Sequence, residues 1–398
     1  MHAPLNFYSL TGRSAGFWIL LGGLALFAGL GGLSALYMEH NGHWVTGMTN
    51  QVVWGMPHVF AVFLVVAASG ALNVASVGSV FGKTDYQPLG RLSVLLAGAL
   101  LAGGLAVLVL DLGRSDRLMV AATFYNYTSI FCLNIALYSG FFGFVVAYLW
   151  VMMDPRVKRF YKPVAIGAFI WRLVLTTGTG SIFGLLASRS AYHSALMAPM
   201  FIALSLSLGL AMFNLVMIVL HYGTGRPSPA PELMRRLRIL LAVLTAVSLY
   251  MVFMFHLTNS YWAERRDVEA FLLVNGGIYT QLLWGGFVVL GSLVPIGLLL
   301  NPGSQGSKPL LAFASLLISI GGVCLMYSII IGGQVFPLEI FPGKVVTSSF
   351  FDGQINSYTP SLPEIFLGLG GVAIVGLVLV VGLWVLPLLP DSSHSAAE

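Results

Sequence analysis

The chemically capable side chains of this chain are few, and a small set of them falls where a proton-exchanging site would need them. His58, Asp111, Arg114, Asn126, Tyr127, Ser129 and Arg172 lie within, or close to the ends of, long apolar stretches. An imidazole titrates near neutral pH and passes a proton in either direction. A carboxylate beside it can accept or relay that proton, and a guanidinium can balance the carboxylate's charge through its N–H donors. An amide, a phenol or a hydroxyl adds further hydrogen bonds. Such a group of residues suits a small molecule held at two oxygens while it gains or loses protons. Each ionisable group is costly in an apolar medium unless it is paired or wetted, so placement is more informative than number.

The elements that must position these residues are membrane spans. Of the 398 residues, 58% are hydrophobic and 8% are charged, against ~25% charged in an ordinary soluble domain; the mean hydropathy is +0.90. Ten apolar runs are long enough to cross a bilayer, which takes ~20 residues at 1.5 Å rise: 16–37, 52–79, 88–110, 126–153, 163–186, 193–221, 238–259, 277–300, 309–332 and 364–388. The fold class is therefore an all-α polytopic membrane protein whose medium is the lipid bilayer. The net charge of +5 is spread over short loops and gives no nucleic-acid signal. A short polar segment precedes the first run, which lacks a small-residue cleavage site and reads as a retained helix. The 46 glycines suit close helix packing through small residues.

Ten crossings place both termini on one side. Lys and Arg are more frequent in loops on that side (Arg13, Lys83, Arg91, Arg156, Lys158, Arg159, Lys162, Arg226, Arg235, Arg236, Arg238, Lys308) than opposite (Arg114, Arg117, Arg189, Arg265, Arg266, Lys344), with Arg172 inside a run. Excess positive charge marks the cytoplasm. The expectation is cytoplasmic termini in a cell inner membrane, with the long connection 333–363 outside. The Pro-rich loop Gly225–Pro231 is a stiff linker.

The chain reads as one integral membrane domain, 1–398, with an internal duplication. The second run begins Pro57-His-Val-Phe and reaches Asn73; the sixth contains Pro199-Met-Phe-Ile and reaches Asn214. Tyr127-Thr-Ser in the fourth run has a counterpart in Tyr279-Thr-Gln in the eighth. Two parallel four-helix bundles, 52–186 and 193–332, follow, with the first and last runs peripheral; parallel repeats are a known membrane design. Loop parity puts His58, Asp111, Arg114, Asn126, Tyr127 and Ser129 toward the outer half of the first bundle, with Arg172 near mid-membrane. His193, His256, Asn259, Tyr279, Gln281 and Gln334 form a sparser set in the second. Plainer readings stand beside this one: Asp111 with Arg114 as an interfacial ion pair at a helix end, Asn126 and Ser129 as a helix start, and His58 as an interfacial residue. Arg172 needs a carboxylate, carbonyls or water whatever its role.

Other motifs carry less. Cys132 and Cys324 lie within runs, and no CxxC or CxxCH occurs, so an iron–sulfur cluster or c-type haem of the chain's own is not expected. The histidines give no paired axial set for a b-type haem. Gly178-Thr-Gly-Ser-Ile-Phe-Gly184 lies inside an apolar run and follows no strand, so it is no phosphate loop. His40 and His43 lack a supporting ligand cluster beyond Glu39, and no metal is expected.

Val109-Leu-Asp-Leu-Gly-Arg114, followed by Asn126 and Ser129, resembles the NrfD/PsrC family of membrane subunits. Trp54-Gly-Met-Pro-His-Val-Phe60, Ala68-Ser-Gly-Ala-Leu-Asn-Val-Ala75 and Trp171–Gly180 resemble its larger, ten-span members, with the nearest likeness to the DsrP-like subunits of DsrMKJOP complexes. Tyr358-Thr-Pro-Ser-Leu-Pro-Glu364 resembles a YxPSxxE-like element of the long members. The resemblance implies the quinone-reactive subunit of a multisubunit oxidoreductase of dissimilatory sulfur metabolism. Menaquinone or ubiquinone would react in the first bundle near the outer face, and this chain would carry no haem or iron–sulfur cluster. Implied partners are an extracytoplasmic ferredoxin-like iron–sulfur subunit (DsrO-like), a multihaem cytochrome c (DsrJ-like), a membrane cytochrome b (DsrM-like) and a cytoplasmic iron–sulfur subunit (DsrK-like).

On that reading His58 and Asp111 are catalytic, with Arg114 balancing the carboxylate. Arg114, Asn126, Tyr127 and Ser129 join them in holding the quinone, and Arg172, Asn73, Asn134 and Ser139 form an inward proton path. A secondary transporter or a purely structural anchor for redox subunits are the competing readings. A transporter would place its polar groups at mid-membrane with access to both faces.

Overall fold

The computed structural model describes residues 6–225, 229–304, 306–337 and 353–390; Arg226, Lys344 and part of the 333–363 connection lie outside the described residues. Ten helices are long and apolar enough to cross a membrane: span 1 Ala15–Asn41, span 2 Met56–Ser79, span 3 Thr84–Leu110, span 4 Ile130–Met153, span 5 Pro155–Gly184, span 6 Met197–Thr224, span 7 Pro231–Tyr261, span 8 Ile278–Leu300, span 9 Lys308–Val335 and span 10 Leu362–Val385. The protein is an all-α, multi-pass membrane protein. Phe7–Tyr8 pairs antiparallel with Leu389–Pro390, which ties both ends of the described residues to one face, called here the terminal face. The opposite, distal face carries the starts of the even spans and the ends of the odd ones.

Hydropathy overshoots helix starts on the distal face. Residues 52–55, 126–129 and 193–196 fall within the second, fourth and sixth runs as read from sequence, yet they are not α-helical. Side chains there satisfy the backbone in other ways. The N–H groups of Val53 and Trp54 are bound by Gln334 Oε1 at 2.9 and 3.0 Å. Asn126 Oδ1 accepts from the N–H and hydroxyl of Thr128, and Ser129 caps span 4 through Cys132 N. Such local side-chain bonds compete with helix continuation.

Span 2 is the central element: 89% of its apolar window is buried, against 11% for span 1. It packs on spans 3, 5, 6, 9 and 10, while span 1 rests mainly on span 10. Spans 4 and 5 lie together, span 6 meets 5, 7 and 9, and span 8 meets 7 and 9. Spans 2 and 6 touch through backbone. A β-carbon on Gly70 would overlap the Ser205 carbonyl, and one on Gly209 the Gly70–Ala71 peptide. Lipid tails are as apolar as leucine, so close van der Waals contact between small residues has to hold such helices together.

Span 2 breaks at Leu72, between Met56–Ala71 and Asn73–Ser79. Ser93 of span 3 enters the helix ladder there: its hydroxyl accepts from Ala75 N at 3.0 Å and donates to Ala71 O at 2.6 Å. A side chain inserted into the i→i−4 ladder is a recognised cause of a helix kink, and it places Asn73 at the break.

The contact between spans 2 and 6 is testable. Gly209→Ala must force two backbones apart and should destabilise the protein by about 1–3 kcal/mol. Gly223→Ala on the same helix meets nothing within 4 Å and should be neutral or stabilising by up to ~1 kcal/mol. Denaturation of the purified protein in graded detergent checks the pair.

Candidate functional site

Two span ends meet at the distal face. Span 2 starts at Met56 after Gly55, with Pro57 in its first turn, where the missing N–H costs nothing and the fixed φ favours a helix. That start sets His58 two residues inside. Span 3 ends at Leu110, and Asp111 closes it with its N–H bound to Val107 O at 3.0 Å. The backbone then turns at Gly113, whose φ of +69° is easy only for glycine.

The two ends bring His58 Nδ1 to 2.8 Å from Asp111 Oδ2. Only 1% of the Asp111 side chain is exposed, against 18% for His58. Nδ1 is itself buried, so the exposed part of the ring lies on its other atoms. His58 Nδ1 and both Asp111 oxygens are buried, and none makes a well-directed hydrogen bond among the described residues, so the 2.8 Å approach is an ion-pair contact. An ionised carboxylate holds the imidazole's proton on Nδ1 and leaves Nε2 as an acceptor. The pair can then take a proton at Nε2, with the carboxylate stabilising the imidazolium.

Trp54 walls the pair. Its ring stacks on His58 (centroids 6.1 Å apart, 27° between planes) and on Tyr192 (6.3 Å, 24°), with Phe183 edge-on at 5.6 Å and Phe131 at 6.3 Å. A knot of amides holds Trp54 in place. Gln334 binds the Val53 and Trp54 N–H groups, and its Nε2 donates to Trp54 O at 3.0 Å and Ile330 O at 2.7 Å. Gln51 Nε2 donates to Val335 O at 2.8 Å. Arg189, from the loop between spans 5 and 6, donates to Gln334 O at 2.9 Å and Gln51 O at 2.6 Å. Burial holds the Arg189 guanidinium below the usual arginine range.

A second clasp fixes the start of span 2. Glu364, fully buried, accepts from Gly47 N and Ser361 N at 2.8 Å each. Tyr358 donates its hydroxyl to Glu364 Oε1 at 2.5 Å and accepts from Met56 N at 2.6 Å. The phenol's pKa is raised, first by burial and then by its bond to the carboxylate, so it stays a neutral donor. Span 10 thereby holds the backbone two residues before His58.

The other residues singled out from sequence distribute differently. Arg114 does not balance Asp111. It forms a two-pronged pair with Asp116 (3.0 and 3.1 Å), both side chains mostly exposed, because the turn at Gly113 carries it away from the span end. Asn126 and Ser129 serve the start of span 4 as described above. Tyr127 is 88% exposed and packs beside Tyr125. None of these four bonds to the His58–Asp111 pair.

Arg172 is 3% exposed. Its Nη1 reaches Ser69 O at 3.4 Å, and its guanidinium lies 4.8 Å over the Phe169 ring. Ser69 is some three helical turns below His58, ~16 Å, so Arg172 belongs to a deeper layer. Thr176 Oγ1 donates to Ser69 Oγ there at 2.6 Å. Asn134 ties span 4 to span 5, donating to Ile130 O at 2.8 Å and Gly178 O at 3.1 Å. Asn73 Nδ2 is buried with no partner among the described residues at the span 2 break. Ser139 is exposed, and its hydroxyl donates back to Ile135 O at 2.8 Å.

Sequence reading missed a second pair of the same kind. His256 Nδ1, near the distal end of span 7, lies 2.7 Å from Glu269 Oε2. Asn259 Nδ2 donates to Glu269 Oε1 at 3.0 Å, and Arg265 Nη1 to Asn259 Oδ1 at 2.7 Å. The clue in the sequence was Glu269 itself, the last carboxylate of an acidic and basic stretch, running straight into Ala-Phe-Leu-Leu-Val274. Such a flank implies that the segment folds inward. Among the described residues no group of three or more metal-ligating side chains occurs.

The Tyr358 clasp yields a prediction. Tyr358→Phe leaves the Met56 N–H and Glu364 Oε1 without their partner inside a buried site. It should destabilise the protein by about 1–3 kcal/mol, read as an earlier unfolding midpoint.

Residues 44–338, which contain spans 2 to 9, match the family model described as polysulphide reductase, NrfD. The sequence is 29% identical over 392 residues to an Hdr-like menaquinol oxidoreductase integral membrane subunit of Archaeoglobus fulgidus, covering 97% of each protein. It is 22% identical to the C component of the selenate reductase of Mesobacillus selenatarsenatis, over 91% of this protein and 92% of that one. The C component of the polysulfide reductase of Wolinella succinogenes is 25% identical, over 72% of this protein and 96% of that one. A family model matched across spans 2 to 9, and relatives aligned nearly end to end, make this protein a member of the NrfD family of membrane subunits.

Proposed function

We propose that this protein is the quinone-reactive membrane subunit of a multisubunit oxidoreductase, and that the His58–Asp111 pair meets the quinone head group. The observation that carries the reading is a buried carboxylate 2.8 Å from a partly exposed imidazole, with neither oxygen engaged in a well-directed hydrogen bond among the described residues. The names of its relatives, among them a menaquinol oxidoreductase membrane subunit and a polysulfide reductase component, support the substrate class.

Oxidation of a quinol releases two protons and two electrons. His58 Nε2 accepts the first hydroxyl proton while Asp111 stabilises the resulting imidazolium; once that proton has passed on, Nε2 accepts the second, and Trp54 offers an aromatic face beside the ring. The electrons leave to a redox centre in a partner subunit docked on the distal face. That partner is a ferredoxin-like iron–sulfur protein in a DsrP-like assembly with DsrJ-, DsrM- and DsrK-like subunits, serving sulfur metabolism. The distal face is then extracytoplasmic, in keeping with the Lys and Arg excess on the terminal side. Asn73, Asn134 and Arg172 mark the interior below the pair as the inward proton route, without Ser139. Spans 2–5 and 6–9 act as two four-helix units joined at the Gly70–Gly209 contact. The distal crowding of polar groups favours this reading over a transporter, which needs them at mid-membrane.

In the complex purified with its partners, His58→Gln and Asp111→Asn should each lower quinol-dependent reduction by about 10²–10⁴-fold, the usual worth of a positioned acid–base group. Subunit assembly and turnover with soluble donors should stay intact. Ser139→Ala should change nothing. Full quinol turnover in an assembled His58→Gln complex would refute the assignment.

A further inference from the structure

The second His–carboxylate pair borders a cavity that the His58 site does not use. A pocket of about 530 Å³ opens between spans 7 and 8, within the ~300–1,000 Å³ of small-molecule sites. Its wall includes Ala246, Tyr250, Phe253, Leu257, Trp284 and Val288, together with His256. Much of this lining is exposed on the outer surface of the helices, so the mouth faces lipid. Span 8 is wound as a wide π-helix over Leu282–Leu293, a rare conformation that is frequent at functional sites. Trp284 and Val288 lie on that segment.

The polar atoms of the wall select the occupant. Trp284 Nε1 donates to Leu273 O at 2.9 Å, and Ser260 Oγ to His256 O at 2.8 Å. His256, 9% exposed, turns Nδ1 to Glu269 and keeps Nε2 covered by the pocket wall, without a partner among the described residues, so an occupant meets it once the side chains over it move aside. With its proton on the carboxylate side, Nε2 is a bare acceptor. An acyl chain in the pocket leaves it unsatisfied, at a cost that the ring of a phenol would remove. A phosphate or carbonyl oxygen is itself an acceptor and does not pair with it. An aromatic hydroxyl on an apolar tail satisfies the nitrogen, the aromatic wall and the lipid-facing mouth together.

We infer that this pocket is a second binding site, for an isoprenoid quinol, whose ring hydroxyl donates to His256 Nε2. The inference rests on the quinone-reactive reading of the protein, but it concerns a different pair of spans and a different histidine. Glu269 acts as a positioning residue. It sets the tautomer, and thereby the preference of the pocket for quinol over quinone.

Photolabelling of the full-length protein in its native complex tests this, with a photoreactive prenylated naphthoquinol as probe and its quinone form as competitor. The quinol should label residues 246–288 as well as the segment around His58. Ala246→Trp, which fills the pocket from its lipid side, should cut labelling of 246–288 about tenfold (~1.4 kcal/mol) and leave labelling near His58 unchanged. Glu269→Gln can still accept from Asn259 while donating an N–H to Nδ1. It moves the proton to Nε2 and should shift the preference from quinol toward quinone, which a merely structural role would not do. Labelling near His58 with none at 246–288 overturns the second site and leaves the first. Equal labelling of 246–288 by a prenyl probe lacking the ring overturns it too, as a lipid cleft. Absence of label at both places defeats the quinone reading as well.

Discussion

A carboxylate placed in an apolar slab must find a partner or lose its charge, and the burial of Asp111 organises much of the distal half of this protein. Removing one partner of a buried pair typically costs ~3–5 kcal/mol, so His58 has to be delivered to Asp111 with little latitude. Two independent fastenings do this. Tyr358 and Glu364 hold the backbone just before span 2. Gln334, Gln51 and Arg189 hold the backbone segment that carries Trp54. The fastenings come from spans 9 and 10 and from the loop between spans 5 and 6, so regions far apart in sequence converge on one imidazole. Span 10, which the family match of residues 44–338 does not include, contributes its buried Glu364 to this arrangement.

The same economy appears twice. His58–Asp111 and His256–Glu269 both set an imidazole Nδ1 on a buried carboxylate near the distal face. They differ in what supports them. Asp111 keeps both oxygens without a well-directed hydrogen bond among the described residues and lies beneath a partly exposed ring. Glu269 has both oxygens engaged, and its histidine is the more enclosed, facing a lipid-open cavity. The first arrangement suits proton exchange with a molecule at the distal surface. The second suits holding a hydrophobic ring arriving from the bilayer.

The fold was legible because lipid imposes its constraint on every span: all ten apolar runs correspond to helices. What hydropathy could not see was where the backbone leaves the helix at the distal face, since Gln334, Asn126 and Ser129 replace helix hydrogen bonds with side-chain ones there. The site was legible in part. Parity alone put His58 and Asp111 at span ends on one face, although Arg114 was the partner expected for the carboxylate. Arg114 could not be assigned, because one positive-φ glycine redirects the backbone and Asp116 captures it. Ser139 could not be excluded without the helix rotation that turns it outward. Glu269 was hidden by its place in a segment that reads as a loop, and Tyr358 and Glu364 were visible only through resemblance, since their partners lie some 300 residues away.

Where a quinone head group sits in the first half of the molecule decides between a reactive site and a structural ion pair. The direct measurement is a structure of the native complex with a tightly bound quinol analogue. A ring oxygen within hydrogen-bond reach of His58 Nε2, ~2.6–3.2 Å, beside Trp54 is the predicted result. A head group bound elsewhere, with His58 and Asp111 unchanged and untouched, would contradict it.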